Sequence, residues 1–175
     1  MTEADAGVGS VSHLACSVLH SLIGIAPTVV SYRGTPQATQ DLLSGQVDFL
    51  CNQIVNIVEH AKAGALKAYA VTGEKRSHML PDVPTTTEAG LPDFMLTVWY
   101  GLSAPKGTPA PIVTKLNRAL SAAMDDAAAV KRFADLGYDV VPAEQRSPQA
   151  FDRFMRNEID LWKRVLGSVK PAAIR

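Results

Sequence analysis

The chain has no excess charge of either sign, with 17 Lys and Arg against 17 Asp and Glu. That balance withholds the basic surface that nucleic acid or an anionic bilayer would require. Charged residues make up only 19 % of the total, too few for a disordered polyelectrolyte. No apolar run is long enough to cross a bilayer. The opening Met1-Thr2-Glu3-Ala4-Asp5 is acidic and lacks both a basic n-region and an apolar h-region. Read literally, it is no secretory signal, and the chain as written would remain in the cytoplasm. There are two cysteines, Cys16 and Cys51, so no disulfide-dense framework is expected. Internal repeats and low-complexity segments are also missing. What is present is 47 % apolar residues over 175 positions. That is enough to pack one domain, or two small lobes sharing a crossing segment.

Apolar residues recur at helical spacing over residues 10–23, where Val11, Leu14, Val18 and Leu22 make one stripe. Ser10 or Ser12 serves as N-cap and Gly24 as the stop. Residues 28–32 are short, β-branched and aromatic, and read as a strand. Arg33-Gly34 turns, and Thr35-Pro36 starts a helix that ends near Ser44-Gly45. Residues 47–51 form a compact apolar strand, 54–63 a helix ended by Gly64, and 67–72 a further strand. Such alternation on short connections predicts an α/β fold with a parallel sheet flanked by helices.

Beyond residue 80 the pattern changes. Leu80-Pro81-Asp82-Val83-Pro84 is a loop punctuated by proline, and Thr85-x-x-Glu88 is a capping box for one helical turn that Gly90 ends. Residues 94–104 read as one long strand or two. Gly107-Thr108-Pro109 opens a helix with Ile112, Val113, Leu116, Leu120 and Met124 on one face. A short helix over 127–136 and a strand over 138–141 follow. Ser147-Pro148 starts the last helix, which carries Phe151, Phe154, Met155, Leu161, Trp162, Val165 and Leu166 and ends near Gly167.

Four groups of residues, in order, resemble the solute-binding receptors of the tripartite tricarboxylate transporter (Bug/TctC) family. They begin with Gly7-Val8-Gly9-Ser10-Val11-Ser12-His13-Leu14. Next come Tyr32-Arg33-Gly34-Thr35 and Asp41-Leu42-Leu43-Ser44-Gly45-Gln46-Val47-Asp48, then Ala63 through Thr72. The fourth group is Leu80-Pro81-Asp82-Val83-Pro84-Thr85, Glu88-Ala89-Gly90, Trp99-Tyr100-Gly101-Leu102 and Ala104-Pro105-Lys106-Gly107-Thr108-Pro109. The resemblance runs from Gly7 to Val169. It implies a type II periplasmic-binding fold whose lobes close on an anionic solute, a membrane-transporter partner, a periplasmic location and no chemistry on the solute. Family members carry a signal peptide and a substantial N-terminal lobe ahead of the Gly-x-Gly-Ser segment, and this chain is expected to be truncated there. Residues 1–98 would then be the ligand-binding part of lobe two. Residues 99–175 would supply the crossover strand and the C-terminal helices of lobe one. The strand that should lead into Gly7 is expected to be missing, since only six residues precede it.

The candidate site follows. Gly7 and Gly9 let the backbone approach a ligand, and the next residues open a helix whose unpaired N–H groups and partial positive charge suit a carboxylate. Ser10, Ser12 and His13 add side-chain donors. A glycine pair ahead of a helix is also a common plain cap, and the resemblance turns the reading toward a ligand. Ser12 stands where a dinucleotide fingerprint needs its third glycine, and a nucleophile elbow would need Gly-x-Ser-x-Gly. Asn52, Gln53 and Asn56 follow a strand at its carboxyl end, where ligands of open α/β sheets bind, and their amides can donate to a carboxylate. Many family members carry an acidic residue at the place of Asn52, so a plain carboxylate is expected rather than an amine-bearing one. Tyr32 ends another strand, and Arg33 reads as a solvated turn residue. About three charge-assisted hydrogen bonds at ~2 kcal/mol each, plus ~1 kcal/mol from the helix terminus, barely exceed an association cost of ~4 kcal/mol or more. This chain alone is therefore expected to bind dicarboxylates no better than millimolar.

His13, Cys16 and His20 share one face of the first helix, but no ligand spacing typical of zinc is present, and no metal or cofactor is expected. Cys16 and Cys51 either pair as a disulfide or remain free and buried. Ser10 and His13 lie too close on one helix start to make a nucleophile–base pair with a separate orienting acid, so an enzyme is not expected. The remaining alternative is an interaction protein of the same ancestry. An uncovered lobe interface would expose apolar surface and drive homo-oligomerisation, with weak or no ligand binding.

Overall fold

The computed structural model describes residues 1–168. Two compact units emerge: Met1–Val98 together with the end of α6 from Val165, and Trp99–Arg164.

The first unit is built on a three-stranded parallel sheet of β1 (Thr2–Asp5), β2 (Thr28–Ser31) and β3 (Phe49–Leu50), in the order β2-β1-β3. Helix α1 (Val11–Ile23) links β1 to β2, and α2 (Thr35–Leu43) links β2 to β3. Alternation along β1 sends Ala4 to one face, where it packs with Ala38 and Val47 against Val30, Tyr32, Leu42 and Leu50. Glu3 and Asp5 point to the opposite face, where Glu3 meets His20 of α1. The sheet thus has an apolar side under α2 and a polar side under α1.

The strand leading into Gly7, expected to be missing, is therefore the central strand. Three of its four residues, Glu3, Ala4 and Asp5, have poor strand propensity, and they occupy it because both edges are paired: Glu3 registers with Val29 on one side and Phe49 on the other. Every acidic side chain it buries also has a local partner. Propensity measures fit to a half-buried pleated surface and yields to such context.

The caps of α1 fall where the residue types place them. Ser10 Oγ accepts the His13 N–H at 3.2 Å, and Gly24 closes α1 in the left-handed conformation, its N–H donating to His20 O at 2.9 Å. Helix α3 (Ile54–Lys62) follows β3. At the capping box, Thr85 N–H donates to Glu88 Oε2 at 2.7 Å and Glu88 N–H to Thr85 Oγ1 at 3.1 Å. The strands expected over 67–72, 94–104 and 138–141 are not formed among the described residues. Val71 makes one isolated parallel bridge to Thr85, and Leu96 N–H reaches Thr72 O at 3.2 Å. These segments have strand-like composition but no continuous partner edge, and a strand exists only as a pair.

The second unit holds α4 (Ala110–Asp125), α5 (Ala127–Asp135), a 3₁₀ turn (Ala143–Gln145) and most of α6 (Pro148–Ser168). Trp99 sits edge-on to Phe151 and Phe154, and its indole N–H donates to Glu158 Oε2 at 3.0 Å. Asp126 caps α5 through the Ala129 N–H at 2.9 Å.

Candidate ligand site at the carboxyl edge of the sheet

The strand order brings the carboxyl ends of β1, β2 and β3 to one edge of the sheet. The β1 connection leaves toward β2 on one side, while β3 lies on the other side of β1. The carboxyl edge between β1 and β3 is therefore the reversal point of the sheet, the place where open α/β folds bind ligands. The Gly7–Ser10 loop leaves β1 there. Tyr32 follows β2 directly, and Asn52 and Gln53 follow β3.

Asp5, which the sequence reading did not single out, organises the loop. Its side chain is fully buried, and Oδ1 accepts the Gly7 N–H at 2.7 Å while Oδ2 accepts the Ser31 hydroxyl at 3.1 Å. Gly7 adopts φ +109°, and a Cβ there would stand 3.3 Å from Tyr32 O, so both conformation and space call for glycine.

The expectation that this glycine segment presents free peptide hydrogens requires correction. Ala6 N–H donates to Ser12 Oγ at 2.9 Å, Gly7 N–H to Asp5, Gly9 N–H to His13 Nδ1 at 3.2 Å, and Ser10 N–H to Gly7 O at 3.0 Å. The His13 N–H is taken by Ser10 Oγ. The physical reason is that a tight turn satisfies its own donors with the nearest acceptors, and Asp5, Ser12 and His13 supply them. Among the described residues, the N–H groups of Val8, Val11 and Ser12 retain no such bond. Val8 and Val11 are exposed, whereas Ser12 is buried.

His13 is buried, and its Nδ1 accepts from the Gly9 N–H. It holds the turn instead of reaching into solvent. Ser10 Oγ lies 3.0 Å from Ser12 Oγ, so the two hydroxyls share one hydrogen bond.

On the β3 side, Asn52 Oδ1 accepts Gln53 N–H at 2.8 Å and Asn56 Nδ2 at 2.9 Å, while Asn52 Nδ2 reaches Thr39 Oγ1 at 3.4 Å. Asn52 thus braces the start of α3, whose N-cap is Gln53. Asn56 is exposed and lines a shallow cavity of about 390 Å³ with Thr35, Thr39 and His60. Tyr32 donates its hydroxyl to Asp41 Oδ2 at 2.7 Å, a bond that raises its pKa above the ordinary phenol value. Arg33 is exposed, as a turn arginine should be.

Beneath the loop, Cys16 and Cys51 form a disulfide with Cα atoms 5.6 Å apart, tying α1 to the segment after β3. Next to it, Glu3 Oε2 and His20 Nε2 are in direct contact and both side chains are buried. Burial, with some repulsion from Asp5, pushes the Glu3 carboxyl up to about 8. Burial, with some repulsion from His13, lowers His20. Both directions favour the neutral forms, so the contact is a carboxyl–imidazole hydrogen bond more than an ion pair.

The parallel sheet with its glycine turn and flanking helices has the fold of the periplasmic-binding-protein class. The structure of the periplasmic binding protein BugD matches it with a TM-score of 0.88 and 36 % identity, over 97 % of this chain and 56 % of that one. The chain belongs to the family described as "Tripartite tricarboxylate transporter family receptor", whose model matches residues 1–170. MatC from Rhodopseudomonas palustris, solved with bound malate, is 45 % identical with a TM-score of 0.87, over 94 % of this chain and 56 % of that one. The UPF0065 protein in the TAR-I ttuE-ttuC' intergenic region of Agrobacterium vitis is 41 % identical over 166 residues, 95 % of this chain and 48 % of that protein. This chain spans about half the length of these relatives. The family is one of solute-binding receptors and not of enzymes.

Proposed function

We propose that this chain provides one half of a periplasmic receptor that captures a small carboxylate for a tripartite tricarboxylate-type transporter, without chemistry on the solute. The observation that carries the reading is the set of unbonded N–H groups on Val8, Val11 and Ser12, at the N-terminus of α1 and the reversal point of the sheet. A helix N-terminus with free amides favours an anion. MatC, with malate bound, makes a dicarboxylate the first ligand to test. Asn56 and the Ser10 hydroxyl are the side chains placed to select among carboxylates, while Gly7, Gly9, Ser12, His13, Tyr32, Asn52 and Gln53 shape the edge. Fewer free amides than the sequence implied lower the affinity of this half further, to millimolar or weaker.

The test is a titration of the chain with malate followed by amide NMR. Shifts concentrated at Val8, Val11 and Ser12 support the reading. Shifts absent from these amides at saturating malate overturn it.

A second reading, self-association, draws on α4, whose Ile112, Leu116 and Leu120 stay exposed along one face. Light scattering that finds a monomer at high concentration removes it.

A further inference from the structure

Cys16 and His20 stand four residues apart on α1 and so share a face of the helix. Glu3 comes up to them from the central strand. One ligand-type atom from each, the Glu3 carboxylate oxygen, Cys16 Sγ and His20 Nε2, all lie within 4.8 Å of one another. All three residues are buried, Glu3 at 1 %, Cys16 at 0 % and His20 at 4 % exposure. Cys51 Sγ is bonded to Cys16 Sγ and therefore reaches the same point from the end of β3. Four donors thus converge from three elements. Phe49 lies edge-on to His20, with ring centroids 6.0 Å apart, and contributes an apolar wall.

The polar atoms of this cluster are under-used. Glu3 Oε2 and His20 Nε2 have no hydrogen-bond partner beyond their mutual contact. A buried carboxyl and imidazole facing only each other and a disulfide are a costly way to fill a core, since buried polar groups usually collect further partners. The same donors are a good set for a borderline-soft divalent cation: thiolate, imidazole and carboxylate in a tetrahedral arrangement. The cysteine and histidine spacing alone gave no ground for this, because the carboxylate and the second sulfur come from different strands.

We propose that Glu3, Cys16, His20 and Cys51 form a latent zinc site that opens when the Cys16–Cys51 disulfide is reduced. A dithiol reductant supplies the two electrons and two protons. It ends as its own disulfide and leaves two cysteine thiols. The cation then binds both sulfurs with release of the two thiol protons, and His20 Nε2 and a Glu3 oxygen complete the shell once the proton held between them has also left to solvent. Two thiolates at ~2.3 Å from a tetrahedral zinc stand about 3.8 Å apart. Side-chain rotation supplies that separation over Cα atoms 5.6 Å apart. In the oxidised chain each sulfur is committed to the other and the site is closed, so the oxidation state of one bond decides whether the cation is held.

Cobalt(II) serves as the probe, since it reports thiolate ligation by charge-transfer absorption and tetrahedral geometry by its visible bands. The full chain is reduced with a dithiol, desalted without oxygen and titrated with cobalt, then with zinc, beside an oxidised sample. The expected result is uptake of about one cobalt per chain with a thiolate band in the reduced sample alone, displaced by zinc, with helical circular dichroism retained. The near-isosteric Glu3→Gln and the His20→Gln substitutions should each weaken binding by at least about tenfold. Uptake by the oxidised chain to the same extent overturns the proposal. So does absence of a thiolate band after reduction, uptake that accompanies loss of helical signal, or unchanged affinity in both variants.

Discussion

Asp5 Oδ1 accepts the amide of Gly7, two residues further along, at 2.7 Å. A buried carboxylate at the end of the central strand thereby turns the chain into the loop that precedes α1, and its other oxygen holds Ser31 of the neighbouring strand. Replacing Asp5 by Ala strands the Gly7 N–H and the Ser31 hydroxyl together. Hydrogen bonds to charged groups contribute ~1.5–3 kcal/mol each, and a loss of about 3 kcal/mol is expected. Urea unfolding of the variant beside the parent measures it. A loss below ~1 kcal/mol would mean that water replaces both bonds.

The two glycines of the loop should respond differently to Ala. Both have positive φ, but a Cβ at Gly7 meets Tyr32 O at 3.3 Å while one at Gly9 meets nothing within 4 Å. Gly9→Ala is expected to lose about 1 kcal/mol from backbone strain alone, and Gly7→Ala about 1 kcal/mol more. Equal losses in thermal or urea unfolding would show that the Tyr32 carbonyl moves aside.

The turn after residue 84 should loosen in acid. Glu88 is held below its ordinary carboxylate value, first by the Arg76 guanidinium and then by the Thr85 N–H. A depressed carboxylate adds stability above its unfolded value, here near 4.5, and that stability is lost as pH falls through the folded pKa. A smaller protection factor of the Thr85 amide, taken against its intrinsic rate, below about pH 4.5 is the expected sign. Arg76→Gln should raise the Glu88 midpoint in an NMR titration, and an unmoved midpoint would assign the shift to the capping box alone.

Reduction of the Cys16–Cys51 bond, in the presence of a chelator, should destabilise the first unit. The bond closes a loop of sequence separation 35, for which chain entropy gives about 4 kcal/mol. The comparison is between oxidised and reduced denaturation midpoints. An unchanged midpoint would mean that the reduced unfolded chain keeps the two segments together.

The sequence was informative wherever structure is local. Ser10 and Gly24 bound α1, Thr35-Pro36 opens α2, and Thr85 and Glu88 make the reciprocal bonds of a capping box, each decided within a few residues. That Tyr32 and Asn52 each follow the end of a strand was also legible, and parallel strands joined by helices bring their carboxyl ends to one edge. β1 was not legible. Thr2–Asp5 looks like a charged terminus until its neighbours, 26 and 46 residues away, pair with it and its acids find Ser31 and His20. For the same reason the strand-like composition of residues 67–72 and 94–104 misled: pairing depends on a partner edge that composition cannot report. The availability of the loop amides was hidden too, since it depended on where the Asp5 and His13 acceptors point.

The hub position of β1 has a consequence for biosynthesis. The strand that both edges need is translated before either of them, and its second partner, Phe49–Leu50, is made only some forty-six residues later. Closing loops of that size before any ladder forms raises contact order and slows assembly. Residues 2–5 therefore spend the interval with one edge unpaired, and an accessory factor that occupies them would delay the entire sheet instead of one edge.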